Sequence, residues 1–390
     1  MNTLPVVFCL AASLALGTPL QTFAASSHPV SQYIHSCATA SAGYARCHAI
    51  LVNSPGNGAS AHESNPAGYH PADLQSAYNL PSARAGRGQT VAIVNAYDAP
   101  QAESDLAVYR STFGLPLCTT ANGCFKKVDQ NGGTRYPSAS ASWAQEASLD
   151  LDMVSAICPN CHILLVEASN GSLSNLGTAV NTAAKLGANE ISNSYGENES
   201  SKDLNYDATY YHHPGIVITA SAGDGGYGVQ YPAASQYVTA VGGTSLIKES
   251  NARGWNEFAW GNTGSGCSAY EPKPDWQKDT RCSKRTVVDV SAVADPSTGV
   301  AGYDSFSYQG KSGWLVFGGT SIASPIIASV YALAGNTSSI TYGSYPYSHT
   351  DSLNDITIGS NGTCGSYLCV AGPGYDGPTG LGTPDGSGGF

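Results

Sequence analysis

Charge is what this chain has least of. Only 12% of its 390 residues are Asp, Glu, Lys or Arg, about half the share usual in a soluble domain. With 17 Lys and Arg against 28 Asp and Glu, the formal charge is −11. That balance leaves no basic stripe to neutralise phosphates, which excludes nucleic acid as a partner. The surface must be built from Ser, Thr, Asn, Gly and Tyr, and 45 glycines and 23 tyrosines supply much of it. Such a surface changes little when carboxylates take up protons, so it suits an acidic medium.

Also lacking are an internal repeat, a strong linker and, beyond the first residues, any apolar run long enough to cross a bilayer. One main domain and no membrane partner are expected. Residues 1–24 read as a signal peptide, with Thr22 and Ala24 at positions −3 and −1 of the cut. No Lys or Arg precedes its apolar stretch, which is unusual for such a signal. Residues 25–65, polar and rich in Ser, Ala and His, read as a short N-terminal extension, and 66–390 as the main domain.

Of eleven cysteines, Cys9 leaves with the signal. The other ten fall into sequence-local pairs: Cys37/Cys47, Cys118/Cys124, Cys158/Cys161, Cys267/Cys282 and Cys364/Cys369. An even count suits disulfides and an oxidising, secreted setting. Cys158 and Cys161 also have the spacing of a redox or zinc motif, but no second CxxC or HxxxH accompanies them.

What is present is a run of apolar, β-branched segments alternating with helical ones. Strands are expected at Thr90 to Tyr97 and in HILLVEA, EISNSY, GIVITASAG and YVTAVGG; helices at Trp143 to Ile157 and Leu173 to Leu186. Near-continuous apolar strands alternating with helices predict an α/β fold, a mostly parallel, doubly wound sheet with helices on both faces. Functional residues then gather at the carboxyl ends of the strands.

The sharpest local signal is Gly318-Gly-Thr-Ser321-Ile-Ala-Ser-Pro325, followed by an apolar helical stretch. Small residues before Ser321 allow a tight turn, and a helix N-terminus favours negative charge of the kind a developing oxyanion carries. Pro325 is expected in the first helical turn. The plain alternative is a capping serine on a glycine turn. A serine nucleophile needs a base, yet none of the nine histidines sits in a suitable context. His212-His213 lies beside a Pro-Gly turn and reads as a surface pair.

Carboxylates are the other candidates. Glu146 and Asp150 in WAQEASLD stand four residues apart and share one helix face. In a cleft such a pair shares a proton and accepts another from serine in acid. On an exposed helix it does nothing. Asp152 is off that face and reads as solvated or capping. Asp224 in SAGDGG, at the end of a strand, is either an Asx turn or a protonated donor to an oxyanion. Near the C-terminus, Asp355 and Asp376 with backbone carbonyls make an all-oxygen set of the kind calcium takes, or an ordinary Asp/Gly turn.

In this order the segments WAQEASLD, SNSYGE, SAGDGG, YVTAVGGTS, VVDVSAVADPSTG, GGTSIASP and AGPGYDGPTGLGTP resemble the sedolisin (serine-carboxyl peptidase) family, whose fold is subtilisin-like. The resemblance runs from about Tyr69 to Pro384. It implies a secreted, acid-active endopeptidase, a monomer acting on protein or peptide substrates, with 66–390 as peptidase domain. It makes Ser321 the nucleophile, Glu146 the base, Asp150 its orienting partner and Asp224 the oxyanion donor. It also implies one structural Ca2+ on the carboxylates of Asp355 and Asp376 and the carbonyls of Ile356, Gly372 and Gly374. Two departures stand out: the family's long N-terminal prodomain is replaced by about forty residues, and GSGCSAYEPKPDWQ replaces a glycine-rich stretch near the cleft. Two other functions stay open: a neutral subtilisin-like protease, and a silent secreted binding module on a peptidase fold.

Overall fold

The computed structural model describes Met1 and residues 32–53 and 63–390. The signal reading at 1–24, its first residue aside, lies outside that range. Residues 31–390 make one compact unit.

Its centre is a sheet whose strands run in the order Trp255–Ala259, Thr239–Lys248, Val217–Ser221, Glu190–Asn193, Thr90–Ala96, His162–Ala168 and Phe125–Asp129, with Val290–Val293 beside Thr239–Lys248. Every pairing is parallel except that of the edge strand Trp255–Ala259. The period of two sorts side chains between the faces. Val91, Ile93, Ile163 and Leu165 join the core under the helices Ala141–Ile157 and Thr320–Ala334. Ala92, Val94, Leu164 and Val166 face the helix Leu173–Lys185. Both faces are therefore covered, as continuous apolar strands require. All five sequence-local cysteine pairs are disulfides, and no helix among the described residues is long and apolar enough to cross a membrane.

Two expectations are corrected. Pro325 lies in the second turn of Thr320–Ala334, not the first. It cannot donate to the Ser321 carbonyl four residues back, and that carbonyl instead accepts Ser194 Oγ at 3.4 Å. Asp152 is neither solvated nor capping. It is buried in the helix Ala141–Ile157, accepts the Tyr303 N–H at 2.8 Å, and burial raises its pKa well above the usual value.

The described part of the N-terminal extension is woven into this unit. Ile50–Asn53 pairs antiparallel with Lys311–Gly318 on one side and Gln32–His35 on the other, while Arg46–Cys47 pairs antiparallel with Tyr195–Asn198.

Several acids are buried away from the cleft. Glu190, at the start of its strand, accepts Thr337 Oγ1 at 2.5 Å, and burial pushes its pKa up to about 8 from 4.5. Below pH 4.5 it is protonated both folded and unfolded. Between 4.5 and 8 only the folded state holds the proton, so stability falls by about 1.4 kcal/mol per pH unit for that group. Tm is expected to drop as pH rises from 4.5 to 8, and Glu190→Gln to flatten the drop in calorimetric scans. A Tm that climbs over this range would contradict the burial argument.

Candidate active site

Three strand ends and two helices converge on one point. Asn95 lies near the carboxyl end of Thr90–Ala96, Ser194 just after Glu190–Asn193, and Asp224 three residues after Val217–Ser221. Ser321 is the second residue of the helix Thr320–Ala334, and Glu146 and Asp150 lie one turn apart on Ala141–Ile157, which packs against it.

Gly319 makes the turn into Ser321. Its φ of 94° is a left-handed value that favours glycine. A Cβ there would also collide with the His48 carbonyl oxygen and lie 3.0 Å from Asp224 Oδ2. The glycine thus lets a peptide carbonyl and a carboxyl oxygen approach the same spot.

Ser321 Oγ donates to the Ser194 carbonyl at 3.3 Å. It also lies near enough to Glu146 to favour the ionised carboxylate. Glu146 Oε2 accepts the Ala49 N–H at 2.8 Å, while Oε1 has no hydrogen-bond partner. Asp150 accepts Ser194 Oγ at 2.6 Å and Asn95 Nδ2 at 3.4 Å. Burial raises Glu146 and Asp150 well above the ordinary carboxylate range; the Asp150 charge adds to the effect on Glu146, and the Ser194 hydroxyl opposes it on Asp150. Such a pair holds a proton in acid and has room for one more exchange with a neighbouring hydroxyl.

Asp224 Oδ1 accepts both Thr320 N and Thr320 Oγ1 at 2.8 Å. With Oδ1 so occupied, a proton belongs on Oδ2, which is buried without a partner. Burial pushes the pKa up to about 7 from 3.8, against the pull of the Thr320 donors and the Arg46 charge. At acidic pH the group is a neutral O–H donor facing the Gly319 backbone.

All four residues singled out in the sequence are therefore brought together. Thr320, Asn95, Ser194 and the His48–Ala49 peptide went unnoticed. Ser194 and Thr320 lay inside quoted motifs, SNSYGE and GGTSIASP, and Asn95 inside an expected strand, but none was given a role there. His48, a histidine in the cleft, pairs through Nδ1 with Ser221 Oγ at 2.6 Å rather than with Ser321. Burial, with the Arg46 charge, lowers its pKa to about 3.

The five positions proposed for calcium lie on two segments, 355–356 and 372–376, that hydrogen bonds tie together. Asp355 Oδ2 accepts Gly374 N at 2.8 Å and Asp376 Oδ2 accepts Gly372 N at 3.0 Å. Thr379 Oγ1 bridges Asp376 Oδ1 and the Ile356 carbonyl at 2.9 and 3.4 Å. The candidate donors, two carboxylates and three carbonyls, are all oxygens, a chemistry that fits a hard cation. Among the described residues no three or more His, Cys, Asp or Glu side chains cluster as a metal site, so carbonyls would have to complete it.

Residues 138–346, which include Glu146, Asp150, Asp224 and Ser321, match the profile of the subtilase family. The chain belongs to that family. Among subtilase relatives it is 30% identical to kumamolisin of Bacillus sp. (strain MN-32), covering 82% of this chain and 63% of the relative. It is 28% identical to sedolisin of Pseudomonas sp. (strain 101), covering 82% and 60%. The chain thus spans about three fifths of the length of these curated relatives. The solved structure of Pseudomonas sedolisin, a serine-carboxyl proteinase, in complex with two molecules of pseudo-iodotyrostatin superposes with a TM-score of 0.68. That match has 27% identity and covers 82% of this chain and 95% of that one. The subtilisin-like fold and the sedolisin resemblance read from the motifs agree with these findings.

Proposed function

We propose that this subtilase is a secreted serine-carboxyl endopeptidase that hydrolyses peptide bonds of proteins and peptides in acid. The observation that carries the reading is the set of groups at the His48–Ala49 peptide: Glu146 Oε2 takes its N–H, its carbonyl oxygen lies against Gly319, which Asp224 Oδ2 also approaches, and Ser321 Oγ shares the Ser194 carbonyl with the His48 N–H. Ser321 Oγ attacks the carbonyl carbon and passes its proton to Glu146. Asp150, held by Ser194 and Asn95, shares the charge on that carboxyl pair. The oxyanion takes a hydrogen bond from protonated Asp224 Oδ2. Glu146 then gives the proton to the departing amine, and water, activated by the same carboxylate, releases the acyl group.

Five disulfides support export to an oxidising compartment. The neutral-protease reading loses ground because the cleft histidine partners Ser221. The test is digestion of an acid-unfolded protein at pH 3 to 8 with the products sequenced by mass spectrometry. Internal cuts in acid support an endopeptidase; trimming from one end only, or no cleavage from folded protein, contradicts it.

Calcium, when bound, would be held by Asp355 and Asp376 with the carbonyls of Ile356, Gly372 and Gly374, tying the C-terminal turn to the domain and taking no part in the chemistry. A ligand at a hundredfold excess over its Kd adds about 2.7 kcal/mol. Calcium is therefore expected to raise Tm by several degrees, chelation to reverse it, and Asp376→Asn to abolish the difference. Identical melting curves with and without calcium would remove the ion from the account.

A further inference from the structure

A second pair of buried carboxyls lies outside the catalytic machinery. Asp207 opens the π-helix Asp207–Tyr211, and Glu271 sits in GSGCSAYEPKPDWQ, the stretch that departs from the family pattern. Both side chains are buried, Glu271 completely. Asp207 Oδ1 accepts Tyr231 Oη at 2.9 Å, whereas Asp207 Oδ2 and both Glu271 oxygens are paired with no N–H or O–H donor. What they have is each other. The two carboxyls lie within hydrogen-bond reach, a contact that favours an ionised Asp207 and a neutral Glu271. Two bare carboxylates cannot bond, so this contact needs a proton between them.

Glu271 belongs to the loop closed by the Cys267–Cys282 disulfide. Its N–H donates to Ser268 Oγ at 2.8 Å, and its carbonyl accepts Arg285 N at 3.0 Å. Ser268 Oγ in turn donates to Glu199, as does Ala269 N at 3.1 Å. Glu199 lines a cavity of about 550 Å³ beside the strand Tyr195–Asn198, which starts one residue after Ser194. Just ahead of the loop, Gly264 N donates to the Gly223 carbonyl at 2.8 Å, next to Asp224. The loop thus braces the wall that carries Ser194 and Asp224, and Glu271 is its buried root.

We propose that Asp207 and Glu271 share one proton as a latch, which holds the disulfide loop onto the π-helix in acid and releases it as pH rises. The latch braces the proposed active site, but its working needs no cleavage. Burial above all raises Glu271 to about 9 from 4.5; the Asp207 charge and bond, then Asp203 and Glu199, push the same way. Burial raises Asp207 too, opposed by the Ser235 hydroxyl, by Glu271 and by the Tyr231 hydroxyl. Burial likewise raises Asp203 and Glu199, the latter against its Ser268 and Ala269 donors and the Lys284 charge. Tyr211, Tyr231 and Tyr237, the other titratable neighbours, are raised above 10 and stay neutral throughout. Below pH 4.5 Glu271 is protonated whether the loop is closed or open. Between 4.5 and 9 only the closed form holds the proton, so each pH unit makes opening about ten times easier. Above 9 the latch is gone.

The test is amide hydrogen exchange of the full chain from about pH 5 to 8, corrected for the intrinsic pH dependence of exchange. Ser321→Ala, checked by circular dichroism, is the parent throughout, so that no peptidase activity enters. The reporters are the amides of Ser268, Ala269, Glu271 and Arg285, all hydrogen-bonded within the loop or across its base. The reference amides are Asn131 and Arg135, bonded to Asp129, whose pKa is lowered because three N–H donors outweigh its burial. Reporter protection is expected to fall by about tenfold per pH unit while the reference holds. Glu271→Gln keeps a donor to Asp207 that does not titrate, and should remove the slope. Asp207→Asn puts an amide beside Glu271 that stabilises its charge, so the steep range should move to lower pH. Flat reporter protection in the parent, or a slope that both variants leave unchanged, overturns the latch. If Glu271→Gln does not fold, the parent slope and its shift in Asp207→Asn decide. Because exchange is read instead of turnover, failure of the peptidase reading would leave this result standing.

Discussion

Ser321→Ala and Glu146→Gln are each expected to abolish acid proteolysis, lowering kcat by about 10⁶ on the scale of serine peptidase nucleophile and base deletions. The two losses will not add. The cleft histidine His48 is bonded to Ser221 and not to Ser321, so among the described residues Glu146 is the base assigned to Ser321, and Glu146 without the hydroxyl has no proton to take. The double variant should therefore be no slower than either single one. Asp150→Asn keeps an acceptor for Ser194 Oγ but removes the second carboxyl from the proton-sharing pair, so it should cost less. Circular dichroism and Tm check that each variant is folded, which matters because removing a charge from a buried pair changes stability as well. A Glu146→Gln enzyme with near-normal kcat would show that the base lies elsewhere.

The second large effect concerns Asp224. Burial puts its pKa at about 7 in place of 3.8, so the neutral carboxyl able to donate through Oδ2 prevails below pH 7 and disappears above it. An ionised Asp224 would repel the oxyanion, and activity should fall as pH rises through that value. The carboxyl pair acts in the opposite sense, because Glu146 must be able to accept a proton, so the profile is bell-shaped. Asp224→Ala removes the donor and should lower kcat by about 10²–10³. Asp224→Asn keeps a donor that does not titrate. Its activity should survive better than that of the alanine variant, with the alkaline limb moved upward. If the limb stays in place in Asp224→Asn, some other group sets it, and the oxyanion role assigned here is wrong.

The sequence made the frame legible because the frame depends on local pattern. Thr90–Ala96 and His162–Ala168 are mostly apolar, with runs of Val, Ile and Leu at their centres, and the helix Ala141–Ile157 begins two residues before the expected start. Ser321, Glu146, Asp150 and Asp224 were readable because nucleophile, acid pair and strand-end acid each carry a local signature. What escaped was set by contacts between distant segments. Asp152 looked solvent-facing on a helical wheel, yet the Tyr303 N–H satisfies it from 151 residues away. Pro325 looked like a first-turn residue, but the helix starts at Thr320 and Ser194 accommodates the missing donor. His48 and Ala49 stand at the start of a four-residue apolar run, Ala49–Val52, inside an otherwise polar segment, too short to show a period. Their strand exists only because two distant strands offer it free edges, and no window on the sequence contains both partners.

The central claim is that Ser321 forms a covalent acyl intermediate in acid with carboxylate help. The most direct measurement is an acid-quenched burst with an activated peptide ester at pH 4, followed by mass spectrometry of the peptide that carries Ser321. The account predicts a burst stoichiometric with enzyme, an acyl adduct on Ser321, and neither in Ser321→Ala. Ester and protein hydrolysis that proceeds with no adduct, or with one on another residue, would contradict it.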